Sequence, residues 1–308
     1  MPLIAVLMGG DSAEREISLQ TGAGVASALE RLGYRTITLD FDHRFVDELR
    51  AAKPDAVFNA LHGGAGEDGT VPAILDWLGL PYQGSGVRAS AAAMDKWTAK
   101  ALMRAADLPT PRAVVLELRD AGVPAPPKRP QIPCVVKPQA EGSAVGVSIV
   151  HTEAEWAAAI ATAVRVSPRV MVEEYVRGRE FTVAILGDQA LPIVEIAPTD
   201  EFYTYHAKYT PGASKHIVPA NLDPALSQTL ADYALRLHRL LGCRDYSRVD
   251  AIVDASDASI YLLECNTLPG LTDLSLYPDA ARAAGIGYDQ LVDRLVKAAL
   301  SRAGVGAS

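Results

Sequence analysis

Hydrophobic and polar positions change their rhythm along the chain. "LIAVLMGG" (3–10) is a continuous apolar run that predicts a strand, and "ISLQTGAGVASALERLGY" (17–34) has helical periodicity that ends near Gly33. "TITLDF" (36–41) reads as strand, "VDELRAAK" as helix, "AVFNALHGG" (56–64) as strand and "VPAILDWLGL" (71–80) as helix. Strands that alternate with helices predict a parallel sheet with helices on its faces. Such sheets bind ligands beyond the carboxyl ends of their strands. Three segments stand there: "GGDSAERE" (9–16), "LHGGAGEDG" (61–69) and "GSGVRAS" (84–90). No GxGxxG follows the first strand, which speaks against a dinucleotide.

The pattern then shifts. "MDKWTAKALMRAADL" (94–108) predicts a helix, and the proline-rich stretch 120–133 a surface loop. "CVVKP" (134–138) is a strand that leads through a glycine-containing turn, "QAEGSAVGVSIV" (139–150), into another. "EAEWAAAIATAV" predicts an amphipathic helix, "RVMVEEYV" (169–176) a strand, and "EFTVAILG" with "ALPIVEIAP" an antiparallel pair turning at "GDQ". Residues 199–221 are polar and aromatic without periodicity, and loops this long in a compact chain are usually functional lids or disordered. A strong helix (224–242), a β-hairpin and a closing helix from Tyr288 complete the chain.

The hairpin carries the clearest chemistry. "YSRVDAIVD" and "YLLECNTLPGLT" both break their apolar alternation with polar residues on one face: Arg248 and Asp250, then Glu264 and Asn266. A turn at "SDA" (256–258) sets Asp250 opposite Glu264 and Arg248 opposite Asn266. A slip of one residue would separate them. Two carboxylates and an amide oxygen are hard ligands, suited to Mg²⁺ or Mn²⁺. Residues two apart on a strand stand about 6.6 Å apart, enough to straddle two ions about 3.5–4 Å apart. A surface strand with an Arg248 salt bridge is the plainer alternative. In "KPQAEGSAVG" a strand delivers Lys137 to a turn with Gly142, Ser143 and Gly146, where backbone N–H groups suit phosphate oxygens. An ordinary glycine-rich hairpin would look the same. Glu173, Glu174 and Glu180 could hold a ribose or an adenine amine, or be solvated edge charges.

Composition narrows the partners. With 308 residues the chain has room for two or three domains. A net charge of −8 and no basic patch exclude nucleic acid and anionic membranes, so a site for an anion must carry its own local positive charge. No apolar run is long enough to span a bilayer, and the N-terminus lacks a basic leader with a cleavage site, so no secretory signal is expected. Cys134, Cys243 and Cys265 are scattered without metal-ligand spacing and read as buried thiols in a reducing cytoplasm.

Taken together, the strand–Lys–Pro–glycine turn, the Glu-Glu strand end and the late Asp…Glu-x-Asn hairpin resemble the ATP-grasp ligases. Within them, "GGDSAEREISL", "LHGGAGEDG", "GSGVRASAAAMDK", "KPQAEGSAVG", "FYTYHAKY", "SRVDAIV" and "ECNTLPGLTDLSLYP" are similar to the D-alanine–D-alanine ligase family across the whole chain. The resemblance implies an N-terminal parallel α/β domain (1–86) followed by a two-lobed ATP-grasp fold: a central lobe (87–177) and a C-terminal lobe (178–308) with a lid at about 198–214. It implies a cytoplasmic enzyme, a homodimer, whose partners are ATP and two molecules of D-alanine. ATP phosphorylates the first D-alanine's carboxylate, and the second D-alanine's amine displaces the phosphate. Such chemistry needs no protein nucleophile, only charge neutralisation, an oxyanion site and a dry pocket.

By the same resemblance Lys96, Lys137 and the turn around Ser143 contact the ATP phosphates, and Lys208 reaches the γ-phosphate from the lid. The backbone of Glu174 and Val176 meets the adenine, Glu173 its edge and Glu180 the ribose. Asp250, Glu264 and Asn266 bind two Mg²⁺ (or Mn²⁺) ions, while Arg248 and the Gly270 N–H stabilise the tetrahedral oxyanion. Glu14 pairs with the first D-alanine's ammonium, His62 lies nearby, and Ser275 with the Leu276 N–H takes the second carboxylate. Tyr209 reaches Ser143 to close the lid, which implies an amine rather than a D-lactate acceptor. The sequence departs from the commoner pattern at Ala144, where a second serine often stands, and at His206, usually acidic. Three rivals remain: another carboxylate–amine ligase, which Glu14 and the Ser275–Leu276 pair disfavour; a nicotinamide oxidoreductase; and a non-catalytic nucleotide-binding protein, which would not need the full metal trio with Arg248.

Overall fold

The computed structural model describes residues 1–117, 130–142, 144–198 and 214–303. At the N-terminus, β1 (Leu3–Met8) lies between β2 (Arg35–Asp40) and β3 (Ala56–Asn59), all parallel, in the order β2-β1-β3. Helices α1 (Arg15–Arg31) and α2 (Phe45–Ala52) make the crossovers, and α3 (Thr70–Leu78) follows β3. The apolar alternation of a half-exposed strand is missing from β1 because both its faces are covered; Ile4 to Leu7 are fully buried.

A second sheet is antiparallel, in the order β4-β7-β5-β6, from β4 (Ala113–Glu117), β5 (Cys134–Pro138), β6 (Ser148–Val150) and β7 (Arg169–Glu174). Helices α4 (Val87–Met94) and α5 (Lys96–Ala105) precede it in the chain, and α6 (Trp156–Val164) packs on its Cys134, Val136, Val150, Val170 and Val172. The third sheet runs β11-β10-β8-β12-β13 and is built from β8 (Gly178–Leu186), β10 (Val194–Pro198), β11 (Ser214–Ile217), β12 (Tyr246–Asp254) and β13 (Ile260–Asn266), with the short β9 (Gln189–Ala190) on β8. On one face of this sheet, Phe181, Val183, Val249, Ala251 and Leu262 share a core with α4, α5 and α7 (Pro224–Leu241). The alternate residues Glu180, Thr182, Arg248 and Asp250 therefore point to the opposite face, which looks onto the second sheet. Last come α8 (Leu276–Ala283) and α9 (Tyr288–Leu300), whose apolar faces join those of α1 and β3 in a core that ties the C-terminus to the first sheet.

Periodicity locates most of these elements and misses a few. The sequence pattern places a glycine loop at 84–90, ahead of one helix over 94–108. The alanine-rich "VRASAAAM" is instead helix α4, and the break falls at Asp95, whose extended backbone (φ −79°, ψ 98°) and carboxylate cap α5 through the Thr98 N–H at 2.7 Å. Within the aperiodic 199–221, residues 214–217 form β11 on the edge of the third sheet because its backbone pairs with β10, an outcome side-chain pattern alone does not encode. Residues 199–213 lie outside the described residues.

The packing of α1 on the end of β1 includes one close approach. A Cβ on Gly22 of α1 would stand 2.6 Å from the Met8 Cβ. Replacing Gly22 with Ala should overpack this contact and lower stability by about 1–3 kcal/mol. Urea unfolding checks this, with an unchanged midpoint as the contrary result.

Candidate active site

The hairpin sets the site. Arg248 pairs with Asn266 and Asp250 with Glu264, as the alternation implied, but the route differs from a uniform ladder. Near the turn Val253 pairs with Ile260 and Ala251 with Leu262, and a bulge at Leu263 then advances the register by one. A bulge lets two successive side chains share a face; Leu263 and Glu264 both line the same cavity. The Arg248 guanidinium grips Asp250 in a bidentate pair, Nε to Oδ1 at 2.9 Å and Nη2 to Oδ2 at 2.8 Å, and the buried Thr182 hydroxyl donates to Oδ1 at 2.6 Å. Glu264 stands 3.1 Å from the Lys96 ammonium, which also donates to the Glu141 carbonyl at 2.7 Å. The Asn266 Oδ1 accepts the Leu268 N–H at 2.9 Å. Among the described residues no three His, Cys, Asp or Glu side chains form a metal-binding group. The set here is two carboxylates facing each other with one amide oxygen beside them, a hard-oxygen donor set that fits Mg²⁺ or Mn²⁺.

Two cavities meet at this hairpin. The larger, about 880 Å³, runs between the second and third sheets past Lys137, Glu173, Glu174, Val176, Glu180 and Asp250. The smaller, about 90 Å³, is lined by Glu14, His62, Glu67, Arg248, Asn266, Gly270, Ser275 and Leu276. Lys96, Glu141 and Glu264 line both and so mark the passage between them.

In the larger cavity, Val135 of β5 pairs with Glu173 of β7, which leaves Lys137 diagonal to Glu173 on the same face. The Lys137 ammonium forms an ion pair with one Glu173 oxygen, and Lys100 of α5 does so with the other. Burial alone would raise the Glu173 carboxyl, but Lys137 and Lys100 outweigh it and hold it below the usual carboxylate range. Burial also pulls Lys100 down to about 8, against the pull of Glu173. The Glu174 N–H is used by the Arg112 carbonyl at 2.8 Å, so a backbone contact from Glu174 to a ligand runs through its carbonyl. Glu180 sits on β8 opposite Ile252 and Ile196, facing the same space.

The smaller cavity is polar and tight. His62 is buried, its Nε2 hydrogen-bonded with the Thr21 hydroxyl at 2.9 Å and its Nδ1 3.8 Å from Glu67. Glu14 is buried at the start of α1; its Oε2 lies 3.0 Å and 3.3 Å from where Cβ atoms on Gly63 and Gly142 would stand. Glycine is required at Gly63 on a second ground, its φ of 66°. Ser275, at the N-cap of α8, accepts the Thr272 N–H at 3.0 Å and shares a 2.8 Å hydrogen bond with the Thr272 hydroxyl. Leu276 is the first residue of that helix, so its N–H is one of the donors the helix leaves unpaired, at the end favourable to an anion. A Cβ on Gly270 would stand 2.8 Å from the Ser275 Oγ, which keeps the floor of the cavity open to backbone only.

A family model described as the C-terminus of D-ala D-ala ligase matches residues 102–297, well over half of the chain. The chain belongs to the D-alanine–D-alanine ligase family. Its sequence is 48% identical over 298 residues to the D-alanine--D-alanine ligase of Ruegeria pomeroyi, covering 96% of this chain and 95% of that one. A relative of the same name from Geotalea uraniireducens is 47% identical over 296 residues, with the same coverage. The solved D-alanine--D-alanine ligase of Bacillus anthracis, complexed with ATP, superposes with a TM-score of 0.86 at 32% identity and covers 98% of each chain. The fold is thus the ATP-grasp arrangement of this family, preceded by its parallel α/β domain.

The structure brings together, around the two cavities, every site residue expected from the family resemblance that lies among the described residues. Ser143, Lys208, Tyr209 and His206 lie outside them. Ala144 is described; it lines the larger cavity at φ 57°. Four neighbours escape the sequence pattern: Glu67, Lys100, Glu141 and Thr182. Two have a signal there, since Lys100 is one helical turn beyond Lys96 and Thr182 is two strand positions beyond Glu180. Thr182→Val keeps the shape and deletes the hydroxyl that donates to Asp250, so it should cost about 1–3 kcal/mol of stability. Chemical denaturation would show this, and a variant as stable as the wild type would deny Thr182 that part.

Proposed function

We propose that this protein is an ATP-dependent ligase that joins two D-alanines into D-alanyl-D-alanine through an acyl phosphate, as a precursor for peptidoglycan. The observation that carries the reading is the meeting of a nucleotide-sized cavity with an amino-acid-sized one at Lys96, Glu141 and Glu264. ATP lies in the larger cavity. Glu173, the Glu174 carbonyl and Val176 meet the adenine, Glu180 the ribose, and Lys96, Lys137 and the Ser143 turn the phosphates. Lys208 and Tyr209 belong to the lid. Asp250, Glu264 and Asn266 would hold two Mg²⁺ or Mn²⁺ ions, which when bound neutralise phosphoryl charge.

In the smaller cavity Glu14 pairs with the first D-alanine's ammonium, with His62 beside it. That substrate's carboxylate oxygen attacks the γ-phosphorus at the passage, and ADP leaves. Ser275 and the Leu276 N–H hold the second D-alanine by its carboxylate, so its amine nitrogen faces the acyl carbon. Attack there forms the amide bond, and the C–O bond to phosphate breaks. Arg248 and the Gly270 N–H stabilise the intervening oxyanion in a site from which water is excluded. We assign domains at 1–86, 87–177 and 178–308, with α4 and α5 resting on the core of the third, and propose a cytoplasmic homodimer. Among the described residues no helix is long and apolar enough to cross a membrane.

Phosphate release with ATP and Mg²⁺, measured against a panel of D- and L-amino acids, tests the reading. D-alanine should give phosphate and D-alanyl-D-alanine in equal amounts, whereas release driven by an L-amino acid would contradict it. Glu14→Gln should raise the KM for the first D-alanine by about tenfold or more, since a buried ion pair is broken. Its KM for ATP should stay put, and equal weakening of both would point to a structural role.

A further inference from the structure

We infer that Lys100 is a positioning residue: it is the standing counter-ion of Glu173, and this frees Lys137 to leave that carboxylate for the phosphates of ATP. The inference rests on reading the larger cavity as the ATP site. Three charges share one place. Glu173 is buried and is paired on one oxygen with Lys137, on the other with Lys100. The two lysines differ in what else they reach. Lys137 and Glu173 both line the larger cavity, whereas Lys100 is fully buried beneath it and lines neither cavity. Lys100 is also fixed from behind: its ammonium donates to the Thr110 hydroxyl at 2.6 Å, and that hydroxyl donates to the Leu262 carbonyl of β13 at 2.8 Å.

The consequence follows from the cost of a bare buried charge. A carboxylate left without a partner in the interior loses several kcal/mol. With Glu173 and Lys137 alone the cluster would be neutral, and Lys137 could turn to a phosphate only by stranding Glu173. With Lys100 in place the cluster carries one net positive charge, so one cation is available to the anion while Glu173 stays paired. Lys96 and Lys100 lie one turn apart on α5, so the same helix face presents one lysine to the passage and hides the other beneath the adenine end. The charged groups facing Lys100 are Glu173 from β7, Lys137 from β5 and Arg104 from its own helix.

The KM for ATP should be measured for the wild type, Lys100→Met, Glu173→Gln and the double variant, with the KM for D-alanine alongside. Lys100→Met is expected to raise the ATP value by about tenfold or more and to leave the D-alanine value nearly unchanged. On the Glu173→Gln background, where no carboxylate needs a partner, the same change should have little effect. Equal effects on both backgrounds, or an unchanged ATP value in Lys100→Met, would overturn the inference. The wild type supplies an independent reading if Lys100→Met does not fold. Its ATP affinity should weaken as pH rises past about 8, where Lys100 loses its proton, and a flat profile from neutral to pH 9 would overturn the inference. A wild type that does not saturate with ATP at all would overturn the reading of the cavity itself, a result distinct from saturation without dependence on Lys100.

Discussion

Asp250 and Glu264 face each other because β13 spends one extra residue, Leu263, before it meets them. The rest of the site is built around that pair. Arg248, two positions before Asp250, folds back on it with both guanidinium nitrogens, and Lys96 crosses from α5 to Glu264. Without the bulge the register set at the turn would run on, and Asp250 would face Leu263 instead of a carboxylate. The facing carboxylates and Lys96 then define the passage where the two cavities join.

The second organising constraint is charge. The chain is acidic overall at −8, yet Lys96, Lys137 and Arg248 converge on the cleft, with Lys100 buried beneath it. Each of them has an acidic partner, which keeps the cluster from repelling itself before an anionic ligand arrives. The partners are not equivalent. Glu173 is deeply buried and needs permanent neutralisation, whereas Asp250 and Glu264 lie nearer the open space and are suited to hard cations.

Much of this is legible in the residue pattern alone, for identifiable reasons. Alternation along a strand is a strict rule, so the shared faces of Arg248 with Asp250 and of Glu264 with Asn266 can be read directly. The parallel sheet is announced by apolar runs separated by helical periods. What escapes the pattern is set by the third dimension. The end of α4 depends on a cap at Asp95 inside a run that stays helical on both sides. β11 exists because β10 offers it an edge. Lys100 stands one turn beyond Lys96, but its partner is set only when β7 brings Glu173 to it, and Glu67 belongs to a glycine loop whose path no periodicity describes.

The central claim is that the first substrate's carboxylate is phosphorylated at the passage before the amide forms. The most direct measurement uses D-alanine labelled with ¹⁸O in both carboxylate oxygens, with unlabelled ATP and water, and mass analysis of the phosphate released. If the carboxylate oxygen attacks the γ-phosphorus and the C–O bond later breaks, each phosphate formed with a dipeptide carries one ¹⁸O. Phosphate free of label, alongside dipeptide formed at the same rate, would show that no acyl phosphate lies on the path.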